Sequence, residues 1–221
     1  LRVYAFLELG IGIVGLLLLF GMPLVSVLYT SIGGPVFFRV IIAILCLLPP
    51  TLMMGATLPA VARFVETSPQ GVSWMGFFYG GNIAGAVVGS LTAGFYLLRV
   101  HDMAIATYVA VILNVAVAAV AMVLAGMTAY KPSEGAVSGS AVRAPGATAV
   151  YVTIALSGMT ALAAEVLWTR LLSLLFGATS YTCALILGVF LAGLGIGSSV
   201  GASIGRSASN PRVALGWCQM L

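Results

Sequence analysis

The sequence predicts an all-α, polytopic membrane helix bundle, and two observations carry the prediction. First, 62% of its 221 residues are hydrophobic and 6% are charged, whereas a soluble globular domain carries roughly 25% charged residues. Second, the apolar runs continue for about 20 residues or more, long enough to cross a bilayer, without the period of two that marks a strand. Because lipid cannot satisfy backbone polar groups, these runs are expected to be helices.

Six complete spans and a partial seventh are predicted in chain order. They cover roughly residues 3–29, 37–65, 74–98, 103–129, 149–176 and 181–204, and the seventh begins after residue 212. The second span contains Pro49, Pro50 and Pro59, each of which removes a helical donor and clashes with the preceding turn. A kinked or broken helix is therefore expected there, with a discontinuous helix lining a cavity as the alternative. Since the chain starts and stops in apolar sequence, it is expected to be part of a longer protein.

One long polar segment, residues 130–147, divides the chain. Its Gly, Ser, Pro and charged residues predict a flexible linker between the later helices of a first membrane bundle, residues 1–129, and the opening helices of a second, residues 148–221. The predicted spans put more basic residues on one side of the membrane than on the other: Arg2, Arg63, Lys131, Arg143, Arg206 and Arg212 against Arg39 and Arg99. By the positive-inside rule the first side, with the N-terminus and the linker, is cytoplasmic.

Composition also argues against several functional classes. The net charge of +4 comes from basic residues scattered singly between apolar runs, so nucleic-acid binding is not predicted. Cys46, Cys183 and Cys218 lie in apolar runs without a Cys/His cluster, so we predict buried thiols, no metal site and no cofactor. The pair His101–Asp102 lies in a predicted outer loop and lacks the partners of a catalytic triad.

Two stripes of small residues predict close helix packing. Glycines recur every four residues in the third and sixth spans, at Gly81, Gly85 and Gly89 and at Gly193, Gly197, Gly201 and Gly205. Spacing by four keeps them on one side of each helix, where they let a neighbouring membrane helix approach closely. A lining role in a substrate cavity is the alternative.

The fifth span carries Glu165, Trp168 and Arg170 inside an apolar run. Ionisable groups at membrane depth need a partner, a wet cavity or an interface. Glu165 and Arg170 are about 140° apart around a helix, so they do not pair, and Arg170, roughly 32 Å along the span, can snorkel to the outer interface. Glu165, roughly 24 Å along, needs a partner from another helix or a proton. It is predicted to make a structural interhelical bond or to bind a proton or a cationic amine.

Other polar residues complete the candidate set. Asn82 and Asn114 lie mid-span and are predicted either to hydrogen-bond across helices or to join Glu165 and Trp168 in a substrate site. Glu8 lies roughly 9 Å beyond Arg2 and is predicted to be an interface residue. The basic residues Arg63, Arg206 and Arg212 are predicted to serve structural or gating roles at the cytoplasmic loops.

The segment Gly201-Ala-Ser-Ile-Gly-Arg206, followed by Arg212, resembles the cytoplasmic loop signature of the major facilitator superfamily, Gly-x-x-x-Asp-Arg with further basic residues. Gly205 occupies the position of the Asp in that signature, so the carboxylate that serves the charge relay of a working gate is missing at this position. The resemblance implies an MFS-like bundle. In such a bundle, the first four spans of this sequence would be helices three to six of the first half. The next two spans would be the first two helices of the second half.

Three further segments resemble the membrane region of the bacterial fused MFS/spermidine synthase family. They are Leu48-Pro-Pro-Thr-Leu-Met-Met-Gly-Ala-Thr-Leu-Pro59, Phe78-Tyr-Gly-Gly-Asn-Ile-Ala-Gly-Ala-Val-Val-Gly89 and Ala164-Glu-Val-Leu-Trp-Thr-Arg-Leu-Leu172. The resemblance implies a membrane domain that anchors or serves an aminopropyltransferase domain, which would bind decarboxylated S-adenosylmethionine and a diamine and is not visible in this sequence. It also implies a bacterial inner membrane.

Two alternatives to that function are kept open by the sequence. One is an MFS-type transporter of a small, cationic solute such as a polyamine. The other is a scaffold that carries no ligand. The partners expected are the lipid bilayer, a fused aminopropyltransferase domain and other membrane subunits.

Overall fold

A computed structural model of the chain describes residues 1–31, 36–65, 69–128, 147–207 and 211–220, and nearly all of these residues lie in helices. The elements are α1 (Arg2–Ser31), α2 (Val36–Val65), α3 (Pro69–Thr92), a π-helical turn (Ala93–Leu97), α4 (Leu98–Val100), α5 (Met103–Met127), α6 (Ala147–Phe176), α7 (Ser180–Ser207) and α8 (Pro211–Met220). The predicted all-α class is confirmed for this part of the chain.

Six helical segments are long and apolar enough to cross a membrane. They are Arg2–Ser31, Val36–Arg63, Phe78–Val100, Met103–Met127, Thr148–Phe176 and Ser180–Gly201. Large apolar side chains along them are exposed, which a lipid environment tolerates because its tails are as apolar as leucine. The chain is therefore an integral membrane protein that sits in a lipid bilayer. The partial seventh span and the MFS-like arrangement stay predictions.

Helix α2 is continuous through its three prolines, Pro49, Pro50 and Pro59, so the predicted break and the discontinuous alternative are wrong, and the predicted kink stays a prediction. One residue after the proline pair, the Thr51 hydroxyl lies within hydrogen-bond distance of two carbonyl oxygens, 2.8 Å from that of Leu47 and 3.0 Å from that of Leu48. Membrane helices tolerate proline because neighbouring helices and local backbone adjustments satisfy the freed backbone groups.

The chain divides into two compact units that do not follow chain order. The first comprises Leu1–Met75 and Val100–Pro132, and the second comprises Gly76–Arg99 and Ser133–Leu221. Helices α1, α2 and α5 thus belong to the first unit, and most of α3 joins α6, α7 and α8 in the second. The predicted linker at 130–147 lies outside the described residues up to residue 146, and the predicted division at that linker stays a prediction.

In the first unit, α1 packs antiparallel against both α2 and α5. Near its start, Ala5 is buried together with Ala118 and Ala121 of α5. Further along, a Cβ atom built on Gly12 would lie 3.7 Å from the Cβ atom of Asn114. On the side of α2, a Cβ on Gly10 would lie 2.9 Å from the sulfur of Met53. Small residues therefore set the distance between these helices, as is typical of membrane bundles.

In the second unit, α3 with its π-helical turn runs antiparallel to α7 at close range. Three glycines allow the approach, because a Cβ atom on each would crowd the facing helix. A Cβ atom on Gly195 would lie 2.8 Å from Ile83, and one on Gly188 would lie 3.0 Å from Leu91. A Cβ atom on Gly94 would lie 2.1 Å from the Ala184 Cβ atom.

The predicted glycine stripes do not form this contact. A Cβ atom built on Gly81, Gly85, Gly89, Gly193, Gly197 or Gly201 would meet no described atom within 4 Å, and the side-chain surroundings of Gly205 lie outside the described residues. The reason is helical phase. Residues two positions apart in the sequence lie about 200° apart around a helix. Gly81 therefore points away from the face of α3 that carries Ile83, and Gly193 points away from the face of α7 that carries Gly195. Packing of the stripes in a larger bundle stays a prediction.

Helices α6 and α7 form a tight hairpin. Gly177 has a φ of +87°, the left-handed conformation that ends a helix at low cost only for glycine. The Thr179 side-chain oxygen accepts a hydrogen bond from the Thr182 backbone N–H at 3.3 Å, which caps α7. The buried Thr182 hydroxyl donates to the Gly177 carbonyl at 2.8 Å. These bonds fix the turn between the two helices.

Candidate functional site

A cavity of about 630 Å³ lies between α6 and α7. Its lining is Ala161, Glu165, Trp168, Leu171 and Leu172 from α6, and Leu185, Ile186, Val189, Phe190, Gly193 and Leu194 from α7. On α6, residues 161, 165, 168 and 172 recur at the spacing of one helix face. The Gly177 turn brings this face beside α7, so the sequence itself positions the cavity.

Among the described residues that line this cavity, Glu165 is the one ionisable residue, and every other side chain is apolar or an indole. The carboxylate is half-buried. It lies about 16 Å, or 11 residues, before the end of its span at Phe176, so it is well within the membrane. Among the described residues, nothing forms a hydrogen bond or an ion pair with it. The interhelical partner predicted for Glu165 is therefore not present in this part of the chain.

Trp168 lines the same cavity one turn after Glu165, and 58% of its surface is exposed. An indole ring attracts a cation placed over its face, the strongest such interaction among the aromatic side chains. A carboxylate and an indole at this spacing can therefore bind the same positively charged group. Two of the four residues predicted as a substrate site are thus found in one cavity.

The two asparagines of the predicted site are not in that cavity. Asn82 is exposed on α3, next to the buried Ile83. Asn114 is half-buried in the first unit, where it packs against Gly12. Neither amide forms a hydrogen bond with any described residue. Their predicted interhelical hydrogen bonds are therefore not seen, and their role in substrate binding stays a prediction.

The remaining predicted residues are distributed over both units. The Glu8 carboxylate accepts a hydrogen bond from the Tyr4 hydroxyl, one turn earlier on α1. Arg170 is exposed and does not line the α6–α7 cavity. The side chains of Arg206 and Arg212 lie outside the described residues.

The predicted burial of the thiols is wrong at two positions. Cys183 and Cys218 are exposed and Cys46 is half-buried, all as free thiols. The prediction failed because an apolar run in a membrane helix faces lipid as readily as it faces a neighbouring helix. In the described part of the chain, no three His, Cys, Asp or Glu residues come together as metal ligands.

Sequence reasoning missed a second cavity, in the first unit. Its volume is about 920 Å³, and it is lined by Leu1, Arg2, Val3, Pro59, Ala60, Arg63, Ala125, Gly126, Met127 and Thr128. Arg2 and Arg63 were predicted to share a side of the membrane, and Arg63 to serve a structural or gating role, but the two were not predicted to line one cavity. The signal that could have joined them is the short sequence interval between the two predicted spans, because helices so close in sequence commonly pack antiparallel, with the start of one beside the end of the other.

No protein-family model, curated protein or solved structure matches the chain.

Proposed function

We propose that this chain is a membrane domain that binds an organic amine cation in the α6–α7 cavity. The observation that carries the proposal is the Glu165 carboxylate, which lacks a protein partner among the described residues and lines an otherwise apolar cavity within the membrane. The ammonium group of the ligand would lie at Glu165 and near the Trp168 indole. Its methylene chain would lie along the leucine, isoleucine and valine side chains of the cavity walls.

Electrostatics favours this ligand class. An ionised carboxylate is costly at membrane depth unless it is paired, and an ammonium ion supplies the missing charge. The divalent cations Mg²⁺ and Ca²⁺ are poor alternatives, because they take six or more oxygen ligands and the described lining offers one carboxylate. Each methylene group that leaves water for the apolar walls contributes about 0.8 kcal/mol. An aliphatic amine therefore fits both the charge and the lining.

The resemblance of three segments to the bacterial fused MFS/spermidine synthase family supports a diamine or a polyamine as the amine. In this proposal the chain is the membrane domain of a spermidine synthase-like protein in the bacterial inner membrane. It anchors an aminopropyltransferase domain and holds a diamine or polyamine close to it. The alternative is an MFS-type transporter of the same cationic solute, which the same cavity would serve.

Binding of radiolabelled putrescine and spermidine to the full-length protein in nanodiscs tests the proposal. The Glu165→Gln variant keeps the side-chain shape and removes the charge. Because a hydrogen bond to a charged group contributes about 1.5–3 kcal/mol, the dissociation constant is expected to rise at least about tenfold. Glu8→Gln is the matched control, since that carboxylate lies outside the cavity and is engaged by Tyr4.

Two results would overturn parts of this proposal. Absence of amine binding by the wild-type protein would refute the amine-binding function, and equal binding by wild type and Glu165→Gln would refute the site. Uptake of the same amines into proteoliposomes then separates the alternatives. Binding with uptake supports the transporter, and binding without uptake supports the domain that serves an enzyme.

A further inference from the structure

The cavity at the end of the first unit lies where three helices reach the membrane surface. The spans that build it are Arg2–Ser31, Val36–Arg63 and Met103–Met127. Its lining comes from the first residues of α1 and the last residues of α2 and α5. At this level the hydrocarbon core gives way to the polar headgroup layer, so the cavity is at the depth of phospholipid phosphate groups.

Among the described residues that line this cavity, the side-chain charges all have one sign. Arg2 and Arg63 come from different helices and line it together, and no carboxylate side chain is among its lining residues. Neither guanidinium forms an ion pair or a hydrogen bond with any residue that the structure describes. Guanidinium groups bind phosphate oxygens in a bidentate manner, which makes arginine the preferred residue for such ligands.

The rest of the lining is suited to the apolar part of a lipid. Pro59, Ala60 and Met127 supply apolar walls. A Cβ atom built on Gly126 would meet no described atom within 4 Å, so the space beside it is open. A free phosphate ion would gain nothing from these walls, whereas a glycerophospholipid would place its glycerol and upper acyl chain against them.

We propose that this cavity binds the headgroup phosphate of an anionic phospholipid, with Arg2 and Arg63 as the phosphate ligands. An anionic headgroup fits better than a zwitterionic one, because the ammonium group of a zwitterionic lipid would be repelled by the two guanidinium charges. Basic pockets between helices at the membrane surface are a recurrent form of lipid recognition. This site is separate from the amine cavity and does not depend on it.

Native mass spectrometry of the full-length protein, released from nanodiscs of mixed phosphatidylcholine and phosphatidylglycerol, measures the lipid that stays bound. The wild-type protein is expected to retain phosphatidylglycerol in preference. Each basic residue near an anionic lipid surface contributes roughly fivefold in affinity. The Arg2→Gln/Arg63→Gln variant should therefore retain phosphatidylglycerol about 30-fold less well.

The control variant also loses two arginine charges, but at positions outside the cavity. Arg39→Gln/Arg99→Gln should retain phosphatidylglycerol as the wild type does, because Arg39 lies over the Tyr29 ring and neither residue lines the cavity. If the variant lacking Arg2 and Arg63 fails to fold, Gly126→Leu serves in its place, since it fills the cavity and keeps both charges. It should retain less phosphatidylglycerol than the wild type.

Three outcomes would overturn the proposal. They are a wild-type protein without preference for phosphatidylglycerol, equal losses in the two double variants, and unchanged retention in Gly126→Leu. A further arm adds inorganic phosphate to the wild-type protein before release. Displacement of phosphatidylglycerol by inorganic phosphate would assign the site to a soluble anion instead of a lipid, and retention of the lipid supports the proposal.

Discussion

Replacing Gly94 by alanine is expected to destabilise the contact between the π-helical turn and α7. The new Cβ atom would lie 2.1 Å from the Cβ atom of Ala184, whereas two carbon atoms in contact are at least about 3.5 Å apart. The two backbones must therefore separate by about 1.4 Å at this point. Overpacking of this kind costs about 1–3 kcal/mol.

Part of that cost is offset, because alanine is favoured over glycine in a helix by about 1 kcal/mol. Gly89→Ala is the matched control, since it gains the same propensity on the same helix and its Cβ atom meets open space. The free energy of unfolding, measured by denaturant titration in bicelles, should be about 1–3 kcal/mol lower for Gly94→Ala than for Gly89→Ala.

The reciprocal substitution sharpens the test. Ala184→Gly removes the Cβ atom that Gly94→Ala meets, and the nearest remaining neighbours are the Ser180 carbonyl oxygen at 3.4 Å and the residue 184 Cα atom at 3.6 Å. The double variant should therefore recover stability, with a favourable coupling energy of about 0.5–3 kcal/mol. Equal stability of Gly94→Ala and Gly89→Ala, or no coupling in the double variant, would refute the register of α3 against α7.

Two further predictions test the packing and the helix ends. With the native cysteines replaced, Ile83→Cys/Gly195→Cys should form a disulfide under mild oxidation, because the two Cβ atoms would be 3.7 Å apart, the usual spacing in disulfides. A non-reducing gel measures the crosslinking rate. Faster crosslinking of Ile83→Cys/Gly193→Cys would contradict the register of α3 against α7. Asp102→Ala should lower the free energy of unfolding by about 1 kcal/mol, because the Asp102 carboxylate accepts the Ile105 N–H at 2.8 Å and caps α5. Asp102→Asn should retain most of that stability, and equal losses in both variants would argue against capping.

The sequence predicted the helices well, since membrane spans are recognised from length and apolarity alone. It failed where the outcome depends on neighbours. The prolines of α2 predicted a kinked or broken helix, but the helix continues through all three without a break. The regular glycine spacing favoured Gly85 and Gly197 as packing residues, yet the contact uses Gly94 and Gly188. Apolar residues on all sides of a helix do not reveal which side faces its neighbour.

The candidate site was predictable to a similar degree. Glu165 and Trp168 share a helix face by spacing alone, and both line one cavity. The opposite wall, with Ile186 and Phe190, could not be predicted because it depends on how α7 packs against α6. The shared cavity of Arg2 and Arg63 could not be predicted for the same reason. The two residues are distant in sequence and line one cavity only because α1 packs against α2.

The π-helical turn at Ala93–Leu97 gives this helix a place where its length can change. A π-turn accommodates one residue more than an α-helical turn, so loss of one residue there restores regular helix and leaves the flanking segments in phase. In the regular part of α3, loss of one residue rotates one side of the helix against the other by about 100° and would turn Ile83 away from α7. A change of one residue in length is therefore compatible with the contact to α7 at the π-helical turn and disrupts it within α3.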